Sequence, residues 1–205
     1  MELVEALLLV GVGYLIGSLP FGYWIPRWLK GVDIRTVGSG NTGATNVWRT
    51  FGFKLGIIVA ALDIAKGAAA VLLARWLADD LVAIFAGVAA MVGHYRPLFL
   101  WFSRGGKAVA TLGGVGLALA PLATLSAAGV WIAVFLVFRY ASLASLVAAA
   151  TLPLFAALFG ASVPVIVFTC VAAVAVVLLH RGNIRRLRSG TEHKIALRRR
   201  AVAGA

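Results

Sequence analysis

The chain has 205 residues, 62% of them hydrophobic and only 13% charged, with a mean hydropathy of +0.99. That is too little polar surface to coat a soluble globule of this size, so the composition describes an integral membrane protein. The formal net charge of +12 would suggest nucleic acid in a soluble domain, but here the cations flank apolar runs, the pattern that orients a chain in a bilayer; no nucleic-acid partner is expected.

The N-terminus reads MELVE, acidic where a secretory signal is basic, and its apolar stretch continues to about Ile25. It is read as a first transmembrane helix. Crossing a hydrocarbon core of about 30 Å takes about 20 helical residues. On that scale spans are expected near 3 to 25, 56 to 77, 81 to 99, 108 to 120, 122 to 138, 142 to 159 and 163 to 180. The fourth is short enough to be partly re-entrant. Its boundary with the fifth rests on Pro121, which disfavours helix at the residue before it. Cys170, the only cysteine, lies inside the last apolar run and is read as core packing.

Arg27, Lys30 and Arg35 follow the first span, which puts the N-terminus outside and the next loop inside. With seven crossings, seventeen of the nineteen Lys and Arg fall on the cytoplasmic face; only Lys66, within a span, and Arg75, outside near Asp79 and Asp80, do not. The expectation is an all-α polytopic membrane protein with seven transmembrane helices, N-terminus outside and C-terminus cytoplasmic. It forms one domain, 1–205, with a basic tail from about 193 to 205. Lys194 and Arg198 to Arg200 are expected to be plain tail anchors.

The first inside loop carries GSGNTGATNVWR, Gly38 to Arg49. Gly38, Gly40 and Gly43 let the backbone curl so that amides converge on an anion. Ser39, Asn41, Thr42, Thr45 and Asn46 add neutral donors, and Arg49 adds a guanidinium. The match to GxGxxG fails as a dinucleotide motif because no strand precedes it. In the membrane, Asp63 and Lys66 stand three residues apart on one helix and can face each other. Buried charge there costs about 2.5 to 3.5 kcal/mol, so the two form either a structural ion pair or part of substrate binding.

The second loop, GHYRPLFLWFSRGGK, runs from Gly93 to Lys107. Gly105, Gly106 and Lys107 lead into an apolar helix, where unpaired amides and a cation suit an anion. The run resembles the tail of a Walker motif but lacks its first glycine and its fold. Arg96 and Arg104 are read as headgroup anchors and Trp101 as an interfacial aromatic.

Ser142 and Ser145 place two hydroxyls on one helix face at the cytoplasmic rim. The third basic segment, HRGNIRRLRSG, holds His180, Asn183, Arg185, Arg186 and Arg188, with Glu192 beyond it. Its arginines form a lipid-facing flank or, given their neighbours, part of a binding site. His94 and His180 each read more readily as structural than as a base. No aspartate follows either by four residues, so the His-plus-Asp pair of many glycerolipid acyltransferases is absent from the sequence.

Taken in order, GSGNTGATNVWR, LDIAKG, GHYRPLFLWFSRGGKAVAT, RYASLAS and HRGNIRRLRSGTE resemble the bacterial acyl-phosphate-dependent glycerol-3-phosphate acyltransferase family, PlsY. The one departure is Ala108, where the family usually has Gly; its methyl group is expected to narrow the approach to an anion but to be tolerated. The resemblance implies a seven-helix enzyme that moves a fatty acyl group from acyl phosphate to the 1-hydroxyl of glycerol 3-phosphate, releasing lysophosphatidic acid and phosphate. It implies no acyl-CoA, no cofactor and no metal.

By motif match Ser39, Arg49, Lys107, His180 and Asn183 are the expected catalytic residues. Gly38, Gly40, Asn41, Thr42, Gly43, Thr45, Asn46, Gly105, Gly106, Ser142, Ser145 and Glu192 are expected to bind substrate. Arg49 and Lys107 would position the phosphates, while the Ser39–Asn46 segment stabilises charge at the attacked carbonyl. The hydroxyl proton would go to a substrate phosphate oxygen or, in the minor version, to His180. The enzyme is expected to be a monomer in the bacterial plasma membrane with its site facing the cytoplasm. The competing reading is a transporter of phosphorylated solutes, which would need polar groups along a two-sided path.

Overall fold

The computed structural model describes residues 2–195. Arg198, Arg199 and Arg200, the expected tail anchors, lie outside the described residues. Among the described residues there are ten α-helices and no strand: α1 Leu3–Gly17, α2 Phe21–Lys30, α3 Ala44–Phe51, α4 Phe53–Leu77, α5 Asp80–Tyr95, α6 Val109–Leu119, α7 Pro121–Phe138, α8 Ala141–Leu158, α9 Val163–Leu179 and α10 Arg181–Arg188. Short 3-10 turns cover Ile34–Thr36 and Leu98–Leu100.

Five helical stretches are long and apolar enough to cross a membrane: Leu3–Lys30, Phe53–Leu77, Asp80–Leu100, Pro121–Phe138 and Ala141–Leu158. A sixth joins α9 to α10 across a 60° bend. The remaining apolar helix, α6, has 11 residues, about 16 Å at 1.5 Å per residue, and falls short of a full span. Pro121 separates α6 from α7 where expected, as the first residue of the new helix, the position that tolerates a missing N–H. The first span departs from expectation: α1 stops at Gly17 and α2 starts at Phe21. Pro20 has no N–H to continue the ladder, and Lys66 Nζ donates to the freed Leu19 carbonyl at 2.8 Å.

Helix packing relies on small residues, as in membranes generally. Gly17 of α1 lies against the Ala90 backbone of α5, and Gly114 of α6 against the Ile64 backbone of α4; a Cβ at either would overlap its partner. Side chains such as Leu72, Trp76, Leu136, Leu154 and Val171 stay exposed on the outer surface, and so does Cys170, which the sequence placed in the core. In water that coat would be a liability; against acyl chains it is the satisfied state. α1 packs along α5, α4 along α5 and α6, and α8 along α7 and α9. Because α4 has no extensive contact with α7 or α8, a cleft remains between those walls.

Candidate active site

The first loop folds around Asn46, whose side chain is 2% exposed. Its Oδ1 accepts the Ser39 N–H at 2.9 Å, while its Nδ2 donates to the Val37 and Asn41 carbonyls at 3.1 and 3.0 Å. Gly38 and Gly40 both adopt φ near +60°, the left-handed region, and a Cβ at Gly38 would strike Asn46 Oδ1. These glycines therefore permit the turn that Asn46 holds. Asn41 is likewise committed to the scaffold: Oδ1 accepts the Gly43 N–H at 2.8 Å, and Nδ2 donates to the Gly105 carbonyl at 3.0 Å.

Gly105 and Gly106 form a buried strap. Their N–H groups donate to the Tyr95 and His94 carbonyls at 2.9 and 3.1 Å. The next residue, Lys107, donates from Nζ to Asn183 Oδ1 of α10. Asn183 Nδ2 in turn donates to Glu192 Oε1 at 2.6 Å, and the same oxygen accepts Ser142 Oγ–H at 2.9 Å. Arg186 Nε donates to the other Glu192 oxygen at 2.6 Å. Burial pushes the Glu192 carboxyl up, but the bonds from Asn183, Ser142 and Arg186 outweigh it and hold the group below the usual carboxylate range. The bonded carboxylate is thereby an anchor for the site's cations.

One cavity of about 830 Å³ collects these parts. Ser39, Thr45, Arg49, Lys107, His180, Asn183 and Glu192 line it, as do Gly38, Gly40, Asn41, Gly43, Asn46, Ser142 and Ser145. Three expected binding residues do not. Thr42 is buried against a small void beside Asp63, Lys66 and His94, while Gly105 and Gly106 lie behind the lining, under the backbone leading to Lys107. Ser145 is also spent internally: its Oγ donates to the Ala141 carbonyl and accepts Trp131 Nε1–H at 3.0 Å.

Electrostatically the polar end is built for an anion. Its lining has four cations, Arg49, Arg104, Lys107 and Arg186, against two carboxylates, Asp63 and Glu192. Both carboxylates are already paired, Asp63 to Lys66 at 2.8 Å and Glu192 to Arg186 at 2.6 Å. Arg49 makes no hydrogen bond or ion pair among the described residues, and its Nε is buried without a partner. Burial holds its guanidinium below the usual value. Burial, only partly opposed by Glu192, brings Lys107 down to about 8. An unpaired guanidinium and a desolvated ammonium in one cavity gain strongly from a phosphate.

His180 Nδ1 lies 2.8 Å from the Val176 carbonyl. Assigning the proton to Nδ1 leaves Nε2 as the acceptor, the tautomer a base requires. The rest of the cavity is apolar. Ile57, Ala60 and Ile64 of α4 face Ala127, Ala128, Trp131 and Ile132 of α7, with Ala148 and Leu152 of α8.

The sequence placed Arg104 at the membrane surface and left Arg186 open between flank and site; the fold brings both to the cavity. Lys194 is no plain anchor, since its ammonium sits 5.2 Å above the Tyr140 ring, and the next residue, Ile195, is buried with its N–H on the Arg139 carbonyl. A His-plus-Asp pair, absent as a motif, exists in space: His94 Nδ1 is 3.4 Å from Asp63 Oδ1. These partners are 31 residues apart in sequence, so only helix packing reveals them.

A helical membrane bundle with a cationic pocket opening into an apolar cleft defines an integral membrane enzyme acting at the lipid boundary. The family model for glycerol-3-phosphate acyltransferase matches residues 7–190. A glycerol-3-phosphate acyltransferase of Parasynechococcus marenigrum is 47% identical over 194 residues, covering 94% of this chain and 91% of the relative. One of Desulforudis audaxviator is 45% identical over 199 residues, covering 97% and 100%. The crystal structure of PlsY, an integral membrane glycerol 3-phosphate acyltransferase, in its glycerol 3-phosphate form, superposes with a TM-score of 0.88 at 43% identity. It covers 94% of this chain and 96% of that one. The chain belongs to the glycerol-3-phosphate acyltransferase family.

Proposed function

We propose that this protein transfers a fatty acyl group from acyl phosphate to the 1-hydroxyl of sn-glycerol 3-phosphate, giving lysophosphatidic acid and inorganic phosphate. The single observation that carries this reading is the cavity itself, cationic at one end and apolar along the rest. Such a shape suits two phosphorylated substrates, one of them with an acyl tail. The related crystal structures, one in a glycerol 3-phosphate form and one in a lysophosphatidic acid form, support substrate and product of this kind.

In this mechanism Arg49 and Lys107 bind the two phosphates. The substrate hydroxyl oxygen attacks the acyl carbonyl carbon, and the carbon–oxygen bond to phosphate breaks. Donors of the Ser39–Thr45 segment, with the amides at the α3 N-terminus, stabilise the oxyanion. The hydroxyl proton passes to a phosphate oxygen of the substrate, or in the second version to His180 Nε2. Asn183 and Glu192 hold Lys107 and Arg186 in place, Ser142 holds Glu192, and Asn41 and Asn46 hold the loop. Phosphate is a good leaving group, so neither a metal nor a cofactor is required.

The remaining parts of the proposal concern the setting. Counting the short α6 as a seventh crossing beside the six longer spans, with the N-terminus outside and the C-terminus cytoplasmic, the cationic end of the cavity lies at the inner face of the bacterial plasma membrane, where the basic segments lie. The chain acts as a monomer and a single domain over 1–205. The cleft between α4 and α7 gives the acyl tail a path from the bilayer.

Purified protein in lipid vesicles, given acyl phosphate and glycerol 3-phosphate, is expected to release one phosphate per lysophosphatidic acid formed. An equal rate with acyl-CoA overturns the donor assignment, and no transfer overturns the reaction. His180→Ala separates the two proton acceptors: full loss of turnover with substrate binding intact assigns the histidine.

A further inference from the structure

At the wall of the cavity lies a buried cluster that the mechanism leaves unused: Asp63 and His94 line the cavity, and Lys66 lies behind them. Asp63 of α4 is 1% exposed, Lys66 4% and His94 of α5 7%. Asp63 Oδ1 lies 2.8 Å from Lys66 Nζ and 3.4 Å from His94 Nδ1. Charges this deep in a membrane bundle persist only with a function or a structural task. Lys66 has its task at the α1–α2 break, on the Leu19 carbonyl.

His94 touches the strap at two points. Its carbonyl accepts the Gly106 N–H at 3.1 Å. Its imidazole fills the side of Gly106 where a side chain would stand: a Cβ there would fall onto Nε2, and Cε1 and Cδ2 are the next nearest atoms, at 2.6 and 2.8 Å. The ring is thus the bed on which Gly106 lies. Asp63 Oδ1 faces the ring's other edge, 3.4 Å from Nδ1. Asn41 fixes the strap from a third direction through the Gly105 carbonyl at 3.0 Å.

We infer that Asp63 and His94 are positioning residues for Lys107, a buried pair that sets the height of the Gly105–Gly106 strap and so the place of the ammonium in the cavity. His94 does not act as a base in this arrangement, because the Gly106 backbone lies against the nitrogen that Asp63 leaves free. The inference rests on the proposed acyltransferase reading only for its kinetic arm. A misplacement of about 1 Å at a reacting group can cost on the order of 100-fold in rate. That is the scale expected when the ring is removed.

The test compares the wild-type protein with His94→Ala, His94→Gln and Asp63→Asn in the same lipid vesicles. Two quantities are read: kcat/KM across pH, and amide hydrogen exchange over 103–108. For His94→Ala the expectation is a drop in kcat/KM of about 100-fold, with faster exchange confined to the Gly105 and Gly106 amides. His94→Gln keeps a donor for Asp63 and much of the ring's length but cannot exchange protons near neutral pH. It is expected to recover most of the activity with an unchanged pH profile. Asp63→Asn is expected to fall between the two.

His94→Gln as inactive as His94→Ala, with one limb of the pH profile gone, overturns the inference in favour of a base. Unchanged exchange at the strap in His94→Ala overturns it as well. If His94→Ala does not fold, His94→Gln decides alone, since the bed predicts activity and the base predicts none. Exchange does not depend on turnover, so a wild-type protein inactive on these substrates counts against the reaction and leaves the strap inference separately readable.

Discussion

Lys107 Nζ donates to Asn183 Oδ1 across 76 residues of sequence, joining the loop before α6 to the helix after α9. Asn183 passes the contact on to Glu192, so one carboxylate holds the ammonium through an amide. Groups acting in one chain are coupled and not additive. Asn183→Ala is expected to lower kcat/KM by about 10-fold to 100-fold, on the scale of about 1.4 kcal/mol per decade. Lys107→Ala should lower it further. The double variant is expected to be no worse than Lys107→Ala alone. A double-mutant cycle with additive losses would contradict the chain of contacts.

The lowered value of Lys107, about 8, sets a pH dependence with a definite sign. The ammonium that attracts phosphate is present below that value and lost above it, so kcat/KM should fall as pH rises through about 8 in the free enzyme. Lys107→Arg replaces it with a guanidinium that stays charged to about pH 12. That variant is expected to lose the alkaline limb while keeping measurable activity. A limb that stays near 8 in Lys107→Arg assigns the titration to another group.

Much of the site could be read from sequence because three short segments carry it, and each has a composition tied to anions. Arg49, Lys107, His180 and Asn183 reach one cavity. What the sequence could not supply was the division between ligand and scaffold. Asn41, Asn46 and Ser145 have the same donors as a binding residue, yet their bonds go to the protein itself. The break at Ser18–Pro20 was hidden because residues on both sides are apolar, and only the Lys66 contact explains how the membrane tolerates it. The pairing of Asp63 with His94 depends on the register of α4 against α5, which no local pattern encodes.

Ala108 stands at a left-handed φ of +59° as the residue before α6. Its methyl group is 1% exposed, packs into the helix core and does not line the cavity. The sequence-based expectation that it narrows the anion's approach is therefore corrected. Ala108→Gly relieves about 1 to 2 kcal/mol of left-handed strain. It also gives up about 0.8 kcal/mol of methyl burial and adds about 0.4 to 1 kcal/mol of chain freedom in the unfolded state. The expected result is a thermal midpoint within a few degrees of wild type and an unchanged KM for both substrates. A raised affinity for glycerol 3-phosphate would show that the methyl does reach the anion.

The apolar end of the cavity is a chamber walled by α4, α7 and α8. Ala148 of α8 lines the chamber together with Ile132 and Leu152, and it is only half-buried, so a larger side chain there has room to enter the cavity without disturbing the helix contacts. Ala148→Leu should displace the acyl tail. Each methylene denied burial costs about 0.8 kcal/mol, so exclusion of two lowers kcat/KM by roughly 10-fold for long acyl phosphates. Short acyl phosphates, which do not reach that depth, keep the wild-type value. The measurement is the ratio of kcat/KM for a long and a short donor in the same vesicles. An unchanged ratio would mean that the tail lies along the outer surface of α7 instead of inside the cleft, and the role assigned to the apolar chamber would fail while the anion site stood.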